Sequence, residues 1–214
     1  MLYLLENSDR LTADFLRQGM PLISRQRQEK LHTYGAQRDK LDGCAAYLLL
    51  RYALLTEYGL TAAPQFSFGE HDKPFLQDTP ALHFNFSHCK TAVACILSDK
   101  NTAVDVTDRR FVKPNVYRRV CSPEEQQRIA ESTDPHTCFL RMWTRKECLA
   151  KLTGEGMSHP FRTITDEWPQ AAFVHTEERD WGILSYYAEE PLPAVSLTAE
   201  KLLTVLREKV PSGI

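Results

Sequence analysis

The chain has 214 residues, 43% of them hydrophobic and 25% charged. That length holds one large domain or two small ones around a buried core. The formal net charge of −2, with histidines neutral, supplies no protein-wide basic field, so nucleic acid is not an expected partner.

The first predicted element is a strand in MLYLLEN (1–7). From about Arg25 to Tyr58 apolar residues recur at helical spacing, and LDGCAAYLLLRYALLTEYG (41–59) is apolar enough for a buried helix that stops at Gly59. QFSFGEHDKPFLQDTP (65–80) is rich in turn residues and broken by Pro74 and Pro80. Three strand-like runs follow, LHFNFSH (82–88), TAVACILS (91–98) and TAVDV (102–106), the first two close enough to form a hairpin. After Pro114 the pattern is helical again. SPEEQQRIAES (122–132) opens with Ser, Pro and two glutamates, an N-terminal helix signal. PHTCFLRMWTRKECLAKLTGEG (135–156) contains a second helix ending near Gly154. The last fifty residues carry strands in WGILSYYAEE and AVSLT and a terminal helix in EKLLTVLREK. The sum is an α+β protein of two halves, 1–101 and 102–214.

Six scattered cysteines without a CxxC pair, and seven histidines without an HxxxH pair, give no structural transition-metal signature. MLYLLENSDR lacks the basic start and long apolar run of a secretory signal, and no stretch approaches membrane-spanning length. A soluble, cytoplasmic protein with reduced thiols, acting on no membrane, is the expectation.

Asp105 stands in the middle of an apolar strand, and alternation turns it away from the face of Val104 and Val106. A carboxylate removed from water needs a cation, strong hydrogen bonds or a metal. Ser87 and His88 lie where one strand turns toward the next; they form either a turn cap or a phosphate site made of hydroxyl, amides and imidazole. On the helix, Phe139, Met142, Leu149 and Leu152 share one sector, while Trp143, Lys146, Glu147, Ala150 and Lys151 fall in the next, together with Leu140. Glu147 and Lys151 are an i, i+4 pair, which alone is an ordinary surface ion pair.

The order Lys73-Pro74, NFSH (85–88), AVDV (103–106) and WTRKECLAK (143–151) resembles the 4′-phosphopantetheinyl transferase family, in its larger monomeric type that activates peptide and polyketide synthases. The similarity runs from about Arg25 to Thr163. Its specific parts are Asn85–His88 against N-x-S-H, Ala103–Val106 against G-[IV]-D-[IV]-E, and Trp143–Lys151 against W-[ST]-x-K-E-[AS]-x-x-K. The resemblance implies transfer of phosphopantetheine from coenzyme A to a serine of an apo acyl or peptidyl carrier protein, with release of 3′,5′-ADP. It implies magnesium (manganese as a substitute) held by Asp105 and Glu147, with Thr107 at a third position. Glu147, or a water on it, takes the serine proton, and Lys146 and Lys151 hold pyrophosphate oxygens. Lys73, Ser87 and His88 bind phosphates of the adenosine end. A basic residue of the first long helix joins them: Arg38, with Lys40 the near alternative, then Arg25 and Lys30. The implied fold is a pseudo-dimer of two similar halves in one monomeric chain, with the substrate cleft between them.

Three positions depart from the family pattern. Thr107 stands where a third acid is usual, Ala103 replaces a glycine, and Glu155 stands where many members have lysine. Asp108, one residue beyond the missing acid, should face the other way as a surface group. RRFVKPNVYRRV (109–120), basic and apolar by turns, is either a carrier-protein surface or a solvated connection. Two rival functions remain: a coenzyme A-binding homologue impaired in catalysis, and a metal-dependent phosphodiesterase using Asp105, Asp108 and Glu147.

Overall fold

In chain order the elements are β1 (Leu2–Glu6), α1 (Ala13–Gly19), α2 (Arg25–His32), α3 (Gln37–Tyr58), β2 (Phe66–Phe68), β3 (Pro74–Leu76), β4 (His83–His88), β5 (Ala92–Ser98), β6 (Ala103–Asp108), α4 (Pro114–Val120), α5 (Pro123–Glu131), α6 (Pro135–Thr153), β7 (Val174–Arg179), β8 (Gly182–Tyr187), β9 (Ala194–Leu197) and α7 (Ala199–Lys209). They come from a computed structural model that describes residues 1–69, 73–110, 112–154 and 161–210. Glu155, one of the departures noted above, lies outside the described residues.

Alternation along the strands decides the layering. Tyr3 and Leu5 of β1, with Val93, Cys95 and Leu97 of β5, point to one side and pack on α3. Leu2, Leu4, Ala94 and Ile96 point the other way, onto Val104 and Val106 of β6 and Leu184 and Tyr186 of β8. The opposite face of that second sheet, with Ala103 and Ile183, packs on α6. The result is an α+β stack of helix, sheet, sheet and helix. Strands β5 and β6 are covered on both faces, which is why they read as nearly unbroken apolar runs.

The first sheet runs β4-β5-β1-β9, the second β6-β8-β7, and β2 with β3 forms a separate hairpin. Strand β9 pairs parallel with β1, Leu2 opposite Ala194 through Leu5 opposite Leu197, and α7 packs on α3. The chain crosses to the second sheet at β6, close to the expected division at residue 101, and returns to the first at β9. The two sheets also differ in strand number, although each carries one long helix on its outer face.

Local chemistry sets the helix ends. Ser24 caps α2, and Ser122 and Glu125 form a reciprocal capping box on α5. Asp134 caps α6 ahead of Pro135. α3 stops at Gly59 (φ 66°) and α6 at Gly154 (φ 79°), left-handed positions that glycine occupies without strain. The helical pattern expected from Arg25 to Tyr58 is two helices, broken between His32 and Gln37. Strands β2 and β3, inside the turn-rich region, and β7 were not anticipated.

Candidate active site

Strands β4 and β6 are edges of their own sheets, and they meet along the seam through side chains rather than a backbone ladder. In β4, Phe84 and Phe86 join the aromatic core under α3, which turns Asn85 and Ser87 to the seam. Asn85 Oδ1 accepts from Val104 N at 3.1 Å and Ser87 Oγ from Val106 N at 3.2 Å. The two-residue spacing on one strand matches the two-residue spacing of free N–H groups on the other. Edge donors that would otherwise go unpaired are thus satisfied.

Asp105, 6% exposed, sits between those two amides and points to α6. Its Oδ1 accepts from Ser87 Oγ at 2.8 Å and from Lys151 Nζ at 2.7 Å. Lys151 Nζ also donates to Ser87 Oγ at 3.0 Å, Val104 O at 3.1 Å and, more weakly, Phe86 O at 3.4 Å. Glu147 lies one turn earlier on α6 and shares the face of Lys151. Its pKa is pushed up to about 7 by burial and then by the Asp105 charge, against the pull of Lys151 and Arg110. Neither Glu147 nor Asp105 Oδ2 carries a hydrogen bond among the described residues. Thr107, buried on the same strand face as Asp105, has a hydroxyl that is likewise unbonded there.

The donors present suit magnesium. Among the described residues no three His, Cys, Asp or Glu side chains converge, so the carboxylate set stops at Asp105 and Glu147. Two carboxylates with open oxygens and a hydroxyl beside them form an all-oxygen set of the kind that would hold magnesium, an ion that needs few protein ligands. The neighbouring thiol of Cys148 is buried, raised in pKa by that burial, and donates to Ala103 O at 3.5 Å, so it stays protonated and apart.

Several expected site residues are placed otherwise. Lys146 does not face the cluster. One residue on a helix turns about 100°, and that step carries Lys146 to the α5 side, 3% exposed, where it pairs with Glu125 Oε2 at 2.8 Å. It donates as well to Phe161 O at 2.8 Å and Ile164 O at 2.6 Å, which uses all three ammonium hydrogens inside the core. Ser87 is close to the cluster, but its hydroxyl donates once and accepts twice within the protein. That fills its capacity in this arrangement, with Asp105 Oδ1 as the acceptor. Arg38 donates to both oxygens of buried Asp42, to Ser8 O at 2.6 Å and to Ser8 Oγ at 3.0 Å, tying α3 to the segment after β1.

His88 is exposed at the end of β4, its Nδ1 3.5 Å from Asp42 Oδ2. Lys73 donates to Leu152 O at 3.0 Å and Asn101 Oδ1 at 3.1 Å, at the end of α6 next to Lys151, and burial lowers its pKa. Arg25 is a solvent-exposed partner of Glu29, Lys40 is half-buried, and Lys30 holds its ammonium 6.0 Å from the Tyr34 ring centre. Asp108 is turned away from the cluster as expected, but it is not a simple surface group: its Oδ1 is buried without a partner. The three-acid set of the phosphodiesterase alternative is therefore not assembled.

Four residues around the site carry no assigned role in the sequence reading: Asn85, named there only within NFSH, and Asp42, Glu125 and Arg27. Asn85 was legible in principle from its alternation with Phe84 and Phe86. The others depend on contacts between elements. Arg27 and Lys30 line a cleft of about 700 Å³ with Tyr34, Phe66, Phe68 and Phe86, and the backbone of Phe86 leads from that cleft to Lys151.

Fold and seam together define an α+β protein with a carboxylate–lysine centre beside an aromatic, cationic cleft, equipment suited to a phosphate-bearing substrate. The chain belongs to the 4′-phosphopantetheinyl transferase superfamily, whose family model matches residues 102–194. It is 30% identical over 150 residues to a 4′-phosphopantetheinyl transferase of Bacillus subtilis, covering 68% of this chain and 66% of that one. It is 27% identical over 164 residues to the 4′-phosphopantetheinyl transferase Sfp of Bacillus subtilis strain 168, covering 75% and 73%. A third relative is the 4′-phosphopantetheinyl transferase AcpT of Salmonella typhi, 27% identical over 156 residues, covering 70% and 80%.

Proposed function

We propose that this protein transfers 4′-phosphopantetheine from coenzyme A to a serine of an apo carrier protein, as a monomer that needs a divalent cation. The observation that carries the reading is the seam cluster itself, in which Asp105 of β6 meets Glu147 and Lys151 of α6 across about forty residues of chain. Magnesium, when bound by Asp105 and Glu147, supplies charge neutralisation for the pyrophosphate. Glu147, whose pKa stands at about 7, takes the serine proton directly or through a water. The serine oxygen forms a bond to phosphorus while the bridging oxygen leaves with 3′,5′-ADP. Lys151 stabilises the charge that develops on that bridge.

The cleft with Arg27, Lys30 and its aromatic walls receives the adenosine end, and exposed His88 on β4 and Lys73 near the end of α6 take its phosphates. Aromatic faces take the base and cations take the phosphates. The carrier protein docks on the groove of about 360 Å³ between α4 and α6, where Arg110, Lys113, Val116 and Trp143 offer positive charge around an apolar floor. Arg110 is also close enough to lower the pKa of Glu147, so this surface adjoins the reacting end of the site. Both sides of the seam belong to one chain, which supports a monomer.

Intact-mass measurement of several apo carrier proteins, incubated with this protein, coenzyme A and magnesium, tests the reading. A gain of one phosphopantetheine, lost with Asp105→Ala or a chelator, is expected. No gain on any carrier, with coenzyme A still bound, would leave a binding homologue in its place.

A further inference from the structure

The ammonium of Lys151 is held as an ion is held. Ser87 Oγ, Val104 O and Asp105 Oδ1 lie within 3.1 Å, with Phe86 O at 3.4 Å. The oxygens come from β4 and β6 in equal number, so the lysine bridges the two sheets as well as neutralising Asp105. A phosphate ligand cannot use these donors while all three point into the protein. A divalent ion on Asp105, for its part, would sit within a few ångströms of a positive charge that the aspartate already balances.

We propose that Lys151 is a resident cation that competes with the divalent ion for Asp105, keeping metal affinity low until pyrophosphate draws the ammonium toward itself. The proposal rests on the assignment of Asp105 and Glu147 as the metal ligands. It makes substrate and metal binding mutually dependent through one side chain, and the coupling is reciprocal by linkage. The lysine's later role at the pyrophosphate and its place in the metal-free protein are then two positions of one group. Its ammonium beside Asp105 leaves that buried carboxylate paired, where an unpaired one would cost most in a low-dielectric site.

The experiment is binding of Mn²⁺ to the full chain without coenzyme A, followed by electron paramagnetic resonance of the free ion. Lys151→Met is expected to bind Mn²⁺ about tenfold more tightly than the wild type, and Lys151→Arg, which keeps the charge, to match the wild type. Equal or weaker binding by Lys151→Met overturns the competition, as does tightening of the same size in Lys151→Arg. Asp105→Asn separates the two ideas: if it binds Mn²⁺ like the wild type, the metal-ligand assignment itself falls. Should Lys151→Met not fold, the wild type still answers through the NMR signal of its lysine ammonium groups. The signal absent from Lys151→Arg is expected to shift saturably with Mg²⁺, and one that stays fixed at saturation overturns the proposal.

Discussion

Glu147→Gln should make the protein more stable while removing its activity, and the gain should depend on pH in a defined direction. The Glu147 carboxyl stands at about 7 in the folded chain against 4.5 when free. Below pH 4.5 both states hold the proton and the acid costs nothing. Between 4.5 and 7 the folded state binds more protons than the unfolded one, so stability falls as pH rises. Above 7 both states are ionised and the full penalty is present, about 3 kcal/mol from the difference of the two values. Part of the carboxylate is solvated, which makes that figure an upper limit. Glutamine keeps the shape and has nothing to ionise. Urea unfolding in chelator at pH 8 should therefore show Glu147→Gln more stable by about 1–3 kcal/mol, with the difference shrinking toward zero near pH 4.5. A variant no more stable than the wild type at pH 8, or a gain that does not change with pH, would refute the account of burial and like charge given for this site.

Three further outcomes follow from the placement of side chains. Lys146→Met should cost about 3–5 kcal/mol because it strands Glu125 in the core. The pair Lys146→Met with Glu125→Gln should recover much of that in thermal unfolding while leaving the KM for coenzyme A unchanged; a raised KM in the pair would return Lys146 to the pyrophosphate. Asn85→Ala should cost about 1–3 kcal/mol, and hydrogen exchange should quicken at the Val104 amide more than at Val106, which keeps its bond to Ser87. Gly182→Ala should lower stability by about 2 kcal/mol or more, read as a fall in melting temperature. The added Cβ would lie 1.9 Å from Thr107 O and 2.9 Å from Asp108 Cα, so β6 and β8 would have to part at the end of the strand that carries Asp105.

What was legible beforehand was what short-range chemistry decides. The capping box at Ser122, the glycine stops at Gly59 and Gly154, the β4–β5 hairpin and the turn of Asp105 away from its valines all depend on neighbours within a few residues. What was hidden depends on partners far along the chain. The pairing of β9 with β1 joins residues about 190 positions apart, and AVSLT by itself carries no mark of which strand it will meet. Lys146 and Lys151 stand in one motif and are alike in type. Only the helix phase, set against α5 on one side and β6 on the other, sends one into the core and the other to the seam. A hydroxyl at a strand end suits a turn cap or a phosphate equally, and only the family resemblance favours the phosphate for Ser87. The count of its bonds, all three filled from β6 and α6, exists only after the sheets have met.

The motif spacings follow from that meeting. Asn85 and Ser87 are two apart because the free amides of Val104 and Val106 are two apart, both fixed by the strand period. Glu147 and Lys151 are four apart because an α-helix lying across β6 presents one face at that interval, and Asp105 is the strand residue beneath it. A one-residue slip in β6 would bring a valine under the helix and carry the aspartate into the apolar layer between the sheets. Val104 and Val106 oppose that slip by packing on Leu2, Leu4, Ala94 and Ile96. The apolar seam therefore fixes the register that aims the carboxylate. The same burial raises the Glu147 pKa toward 7, so the interaction that orders the site also sets the protonation of its second carboxyl. The two effects cannot be separated by a single apolar-to-polar change in the seam. A substitution that lets water in should loosen β6 and lower the Glu147 pKa together.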